Sequence, residues 1–185
     1  MGTTAVRIML LAFYEPERAF AEHRVFEVAS GEIEKEGLPG KAHCDAMASR
    51  LQEVFASPEP ERLLVEYTRL FLHPDGARAS PYLSSWKALL GDDALERYLA
   101  FFDSKGFSRA ADFHDLPEHL AAALEAYLDL KDAEDPAADE LRAQFLDAWV
   151  PAFCEKLQAQ TAEIFYREFG AFLEKWYKWE SLHKG

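Results

Sequence analysis

The sequence predicts an all-α protein folded as one helical bundle, a single domain over residues 1–185. Three observations lead there. Apolar residues recur at three- and four-residue spacing along most of the chain, and no stretch shows the alternation of a half-buried strand. Apolar residues make up 49% of the sequence, which excludes a disordered chain. The 14 Phe, 7 Tyr and 4 Trp supply large side chains for one ring-rich core, and 185 residues suffice to enclose it.

The elements follow in order. Residues 5–14 read as a short apolar helix. Pro16 suits a helix start, because its missing N–H costs nothing in the first turn. The stretch after it carries Phe20, Val25, Phe26 and Ile33 on a helix or helix pair. Gly37-Leu38-Pro39-Gly40 breaks the pattern. Residues 42–55 form the next helix, with Met47, Leu51, Val54 and Phe55 apolar. Ser57-Pro58-Glu59-Pro60 starts another, whose apolar positions are Leu63, Leu64, Tyr67, Leu70 and Phe71. His73-Pro74-Asp75-Gly76 stops it. The connection over 73–86 is the natural hinge if subunits exchange elements.

Gly91-Asp92-Asp93 separates two short helices, with Asp92 or Asp93 as cap. Leu116, Leu120, Leu124 and Leu128 form one stripe, and residues 132–139 read as a polar linker. Pro151 kinks a long helix or opens a new one. Phe153, Leu157, Phe165 and Phe169 continue the apolar stripe to Gly170, and residues 172–179 form a terminal helix.

The 33 acidic side chains exceed the 20 basic ones, for a net charge of −13. That balance disfavours nucleic acid and anionic lipid as partners and favours cationic ones. The charge is uneven: residues 112–147 hold eleven acids against two bases, whereas residues after Val150 hold five of each. The two cysteines, Cys44 and Cys154, are too few for a disulfide framework and are not in metal-ligand spacing. Cys154 sits in an apolar helical pattern and reads as a buried hydrophobe, consistent with reduced thiols and a cytoplasmic protein. The apolar run over 6–14 is too short to span a bilayer. It reads as a core helix, not a signal peptide or membrane anchor.

Two stretches stand apart. In the first, Glu66 and Arg69 can pair across one helical turn, and the loop beyond carries Ser80-Pro81-Tyr82 and Ser84-Ser85-Trp86. Hydroxyls beside ring faces suit peptide recognition, since they exchange hydrogen bonds while rings cover apolar groups and stack on guanidinium. A serine cap with Trp86 tucked inward explains the same residues. In the second stretch, Asp112-Phe113-His114-Asp115-Leu116-Pro117-Glu118-His119-Leu120, Asp115 and Glu118 have capping-box spacing, with Pro117 in the first turn. The same segment gathers the carboxylates of Asp112, Asp115 and Glu118 beside His114 and His119, and carboxylates bind arginine through charge-assisted, often bidentate bonds. His114 and His119 are five apart, with no cysteine beside them and no HExxH, so a metal site is not expected. The chain has no nucleophile elbow and no glycine-rich phosphate loop.

In this order and in a helical chain of this length, the two stretches resemble the TorD/DmsD family of redox enzyme maturation chaperones. The resemblance covers residues 61–172 and includes 149–153 and 165–170. Where that family carries Pro-Asp-His, this chain has Pro117-Glu118-His119, its carboxylate one methylene further out. Leu124-Glu125-Ala126-Tyr127 also departs from the pattern, and the first sixty residues match poorly.

The resemblance implies a TorD-like fold and a cytoplasmic, non-enzymatic chaperone. It implies binding of the twin-arginine leader, and of the body, of a molybdopterin-dependent oxidoreductase subunit before export. The leader-binding residues it points to are Pro81, Tyr82, Ser84, Ser85, Trp86, Asp112, Asp115, Pro117, Glu118 and His119. No cofactor is expected to stay bound; weak guanine-nucleotide binding or transient contact with the molybdopterin cofactor is implied by the family alone. The expected state is a monomer or a domain-swapped homodimer. Two other classes fit the residues less fully: a small hydrolase or nucleotide-dependent enzyme using His119 with Asp115 or Glu118, and a structural helical adaptor within a reductase complex.

Overall fold

The computed structural model describes residues 3–14, 16–21, 24–72, 76–107 and 116–183. Helices are the only named elements among them, so the all-α expectation holds. In chain order these are α1 (Thr4–Tyr14), α2 (Pro16–Ala21), α3 (Val25–Glu36), α4 (Lys41–Phe55) and α5 (Arg62–Tyr67), which widens into a π-helical segment, Thr68–Leu72. A 3-10 turn, Leu83–Trp86, leads into α6 (Lys87–Leu90) and α7 (Ala94–Ser104). Then come α8 (Leu120–Asp132), α9 (Ala137–Leu141) with a second π segment, Arg142–Leu146, α10 (Asp147–Gln160) and α11 (Ile164–Leu182). None of the described helices is long and apolar enough to cross a membrane.

The chain divides into two compact units, Met1–Ser80 with Phe153–Gly185, and Pro81–Ala152. The boundary at Ser80 falls within the 73–86 connection expected as a hinge; residues 73–75 of that connection lie outside the described residues.

In the first unit α3 packs on α1 and α4, and α4 on α11. Its centre is made of rings. Phe13 meets Phe71, Phe153 and Phe169 with centroids 5.2, 5.2 and 5.5 Å away. Phe165 takes Phe20 and Phe26 edge-on at 5.3 and 5.1 Å. Each such ring contributes roughly 1.5–3 kcal/mol by leaving water, and edge-on geometry adds about 0.5–1.5 kcal/mol per pair. Tyr67, Leu70 and Phe71 are core residues, as their spacing predicts.

The predicted break over 37–40 ends α3 through Gly37, left-handed at φ 67°, whose N–H and that of Leu38 close on Glu34 and Ile33 carbonyls. Gly40, at φ 99°, lies against Phe172: a Cβ there would come within 2.8 Å of the ring. Cys44 and Cys154 are both buried, as expected for Cys154. Burial pushes the Cys44 thiol up to about 12 and that of Cys154 higher still.

Several boundaries differ from the sequence pattern. The stripe through Phe153, Leu157, Phe165 and Phe169 is interrupted at 161–163, where Glu163 caps α11 by accepting from the Phe165 N–H. Thr161 accepts from the Glu163 N–H at 3.0 Å, which fixes the bend. Gly170 ends nothing: it lies inside α11, with Gln158 Cγ 3.0 Å from where its Cβ would sit. Pro151 neither opens a helix nor ends one, but lies within α10. The second proline-rich start is also late, since α5 begins at Arg62 after a turn over 57–61.

Glu66 and Arg69 do more than pair weakly at the surface. Arg69 grips Glu66 with two nitrogens, each 2.7 Å from an oxygen, and also donates to the Gln160 carbonyl. Thr161 donates to Glu66 at 2.7 Å. Glu163, 5% exposed, accepts a fork from Arg50 at 2.6 and 3.0 Å and meets Arg62 at 3.2 Å. Arg50 therefore ties α4 to the start of α11, Arg62 joins α5 to the same carboxylate, and Arg69 links the Glu66 turn to the end of α10.

In the second unit α8 buries Leu120, Leu124, Tyr127 and Leu128 and turns Glu125, Asp129 and Asp132 outward. Tyr98 and Phe101 of α7 meet Phe145 edge-on, and the Arg97 guanidinium lies 5.5 Å from the Phe145 ring centre. Asp93 occupies the cap position of α7 but makes no cap bond; its carboxylate pairs with Arg97 at 3.2 Å instead. Buried Arg142 reaches Asp147 at 2.9 Å. Five residues apart would put them about 140° apart on an α-helix; the widened turn brings them to one side. The expected linker over 132–139 is shorter, at 133–136.

Burial raises the Glu163 carboxyl pKa, but hydrogen bonds and charge from Arg50 outweigh it, so the pKa lies below the ordinary glutamate value. A lowered carboxylate pKa gives stability that is full above the unfolded value and lost as pH falls through the folded one. Glu163→Gln is therefore expected to cost about 3 kcal/mol in urea unfolding at pH 7. The two proteins should converge as the pH drops below the carboxylate range. Curves that stay parallel on acidification would contradict this role.

Candidate functional site

The two stretches that stood out in the sequence meet. Tyr82 and His119 form an antiparallel backbone bridge, with the Leu83 N–H donating to the Glu118 carbonyl at 3.1 Å and the Leu120 N–H to the Pro81 carbonyl at 2.8 Å. Their rings meet edge-on at 5.4 Å. Five of the expected site residues, Pro81, Tyr82, Ser84, Glu118 and His119, thus sit in direct contact, with Ser85 and Trp86 in the adjoining turn and Pro117 in the facing one. Asp112, His114 and Asp115 lie outside the described residues.

The local chemistry explains the geometry. Tyr82 is extended, at φ −98° and ψ 131°, and ends the bridge. The Ser85 N–H returns to the Tyr82 carbonyl at 3.0 Å, closing the 3-10 turn. Opposite, the His119 N–H donates to the Leu116 carbonyl at 3.0 Å. That makes Leu116-Pro117-Glu118-His119 a β-turn with proline at its second position, where a fixed φ is favoured. The Tyr98 hydroxyl donates to the Pro117 carbonyl at 3.0 Å and pins this turn to α7. Burial first, and the nearby Glu118 charge second, push the Tyr98 phenol well above its ordinary value.

The capping-box expectation is overturned. Helix α8 starts at Leu120, so Leu116 lies outside the helical stripe and is 52% exposed, and Pro117 is a turn residue. The N-cap is His119: extended at φ −71° and ψ 137°, it accepts from the Ala121 N–H on Nδ1 at 3.1 Å. An accepting Nδ1 puts the ring proton of the neutral imidazole on Nε2. Nothing in the pattern distinguished this start, because His is an uncommon cap and the Asp-x-x-Glu spacing fitted a start four residues earlier.

The Glu118 side chain has a use that nothing in the local pattern signals. Its carboxylate accepts from the Ser84 N–H at 2.8 Å and from the Ser84 hydroxyl at 3.0 Å. Main chain and side chain of one residue therefore satisfy two successive N–H groups, Leu83 and Ser84, at the start of the 3-10 turn. Glu118 and His119 are buried, Tyr82, Ser84, Trp86 and Pro117 half-buried, and Ser85 exposed. Leu89, Leu99 and Leu116 are large apolar side chains of the same unit left exposed. No group of three or more His, Cys, Asp or Glu among the described residues is placed to hold a metal ion.

Residues 40–156 match the family described as nitrate reductase delta subunit, a span that contains both stretches. The chain belongs to this family, whose members are chaperone-type maturation factors for molybdoenzymes and not catalysts, partnering nitrate reductase-type subunits. The match agrees with the TorD/DmsD resemblance and begins about twenty residues before it. No curated protein matches the chain.

Losing the His119 acceptor leaves an orphan N–H at the start of α8. His119→Ala is expected to destabilise the protein by about 1–2 kcal/mol in thermal or urea unfolding. His119→Asn, whose side chain also accepts at an N-cap, should recover part of that. Equal losses for the two variants would show that the cap bond contributes nothing.

Proposed function

We propose that the paired stretches over Pro81–Trp86 and Pro117–His119 bind the twin-arginine leader of a molybdopterin-dependent oxidoreductase subunit. The chaperone holds that subunit on the cytoplasmic side until cofactor insertion is complete and then releases it for export. The observation that carries this reading is the Tyr82–His119 bridge. It joins the two motifs into one candidate site, in which Tyr82, Ser84, Ser85 and Trp86 keep accessible surface while Glu118 and His119 are buried.

A leader has a basic end and an apolar run. Ser85 and the rings of Tyr82 and Trp86 supply hydrogen bonds and apolar cover, and exposed Leu116, the first residue of the Pro117 turn, adds apolar area. Asp112 and Asp115 bring carboxylates to the residues just before the turn in sequence, in the most acidic part of the chain. Charge of this sign speeds encounter with a cationic peptide and sets its direction, while apolar contact slows its release. A helical leader segment laid along the surface is the recognition mode this chemistry suits.

Titration of a synthetic leader into the purified protein tests the reading. Wild type is expected to bind one leader per chain, with affinity falling as salt rises. Asp112→Asn combined with Asp115→Asn should weaken binding by about tenfold or more at low salt, the loss of one charge-assisted bond being worth about 1.5–3 kcal/mol, and should flatten the salt dependence. No binding by wild type, or unchanged affinity and salt slope in a folded double variant, would refute the assignment.

A further inference from the structure

We infer that Glu118 serves leader binding as a positioning residue, setting the Leu83–Trp86 turn, and not as the carboxylate that receives a leader arginine. The inference rests on the leader-binding reading above and assigns a task within it.

Three features of the structure support it. Glu118 accepts with its main-chain carbonyl from the Leu83 N–H, at 3.1 Å, and with both carboxylate oxygens from Ser84, at 2.8 and 3.0 Å. The first N–H groups of any helical turn have no partner within it, and elsewhere a Ser, Thr, Asp or Asn just ahead in sequence supplies the acceptor. Here the residue ahead is Tyr82, whose side chain makes no cap bond. An acidic residue 34 positions later takes that place. Second, Glu118 is only 8% exposed, with its head turned to the Ser84 backbone, whereas Ser85 in the same turn is open to solvent. Third, the buried Tyr98 hydroxyl fastens the carbonyl of Pro117, the residue before it, so the chain around Glu118 is held from the α7 side as well.

The consequence is a division of labour. Glu118 and Ser84 fix the course of the chain; Ser85 and Trp86, placed by that course, face the ligand. A peptide guanidinium engaging Glu118 in a fork would have to reach a carboxylate only 8% exposed, both of whose oxygens already accept from Ser84.

Glu118→Ala, Glu118→Gln and Ser84→Ala separate the alternatives, read by leader titration and by amide exchange at residues 83–85. Glutamine keeps the geometry without the charge: its carbonyl accepts from the Ser84 N–H and its amide donates to the Ser84 hydroxyl. Glu118→Ala is expected to lose about tenfold in leader affinity, the equivalent of about one hydrogen-bonded cap, and to speed exchange of the Ser84 amide. Glu118→Gln should recover most of both. Glutamine as weak as alanine in binding, with the Ser84 amide still protected, would make Glu118 a direct charge partner of the leader and overturn the inference.

If Glu118→Ala does not fold, Ser84→Ala decides. Weakened leader binding at an unchanged melting temperature supports positioning, and unchanged affinity refutes it. A wild type that binds no leader sinks the leader reading itself and the binding half of this inference with it. The exchange comparison then still decides whether Glu118 holds the turn.

Discussion

Two backbone hydrogen bonds, from Leu83 N–H to Glu118 and from Leu120 N–H to Pro81, bring together residues more than thirty positions apart. Everything distinctive about the site is built on that short pairing. It puts the Tyr82 ring against His119, delivers the Glu118 carboxylate to Ser84, and leaves the His119 imidazole over the first turn of α8. An isolated pairing of this length is weak in water. Here it is held on both sides, by the β-turn at Pro117 that Tyr98 pins and by the 3-10 turn that Glu118 caps. Buried Leu83 and Leu120, both inaccessible to solvent, anchor it from beneath.

The first unit shows a different economy. Its core is rings on rings, while its helix ends are fastened by forked arginines: Arg50 on Glu163 and Arg69 on Glu66. Thr161 sits between the two carboxylates, donating to one and accepting from the backbone of the other. Paired charges of this kind stabilise little beyond what their desolvation costs, but losing one partner strands the other. The network therefore specifies where the bend between α10 and α11 falls more than it adds to stability.

What the sequence made legible and what it hid divide along physical lines. Helical periodicity is a local signal, so α1, α3, α4 and α7 and the break at Gly37–Gly40 could be read directly. The core roles of Tyr67, Leu70, Phe71 and Cys154 follow from the same signal. The turn at Thr161 was hidden because its apolar flanks keep helical spacing on both sides, and its cause is a contact with Glu66 almost a hundred residues away. The start of α8 was misplaced because two different acceptors fit a helix end, and the local one, Asp115 with Glu118, looked sufficient. Tertiary pairing had already claimed Glu118 for Ser84. The π segments left no mark at all, since Arg142 and Asp147 come to one side only once the turn has widened. In the candidate site the residue types were readable, and the roles of Glu118 and His119 were not.

Membership of the nitrate reductase delta subunit family and the bridge between Tyr82 and His119 both support the proposal that this surface receives a cationic, partly apolar segment of a client. The most direct test is a heteronuclear NMR titration of isotope-labelled protein with an unlabelled twin-arginine leader. Resonance changes concentrated at Tyr82, Ser85, Trp86 and His119 are the predicted result. Changes confined to residues 164–182 of α11 or to α3, with the Pro81–Trp86 and Pro117–His119 resonances unmoved, would contradict it.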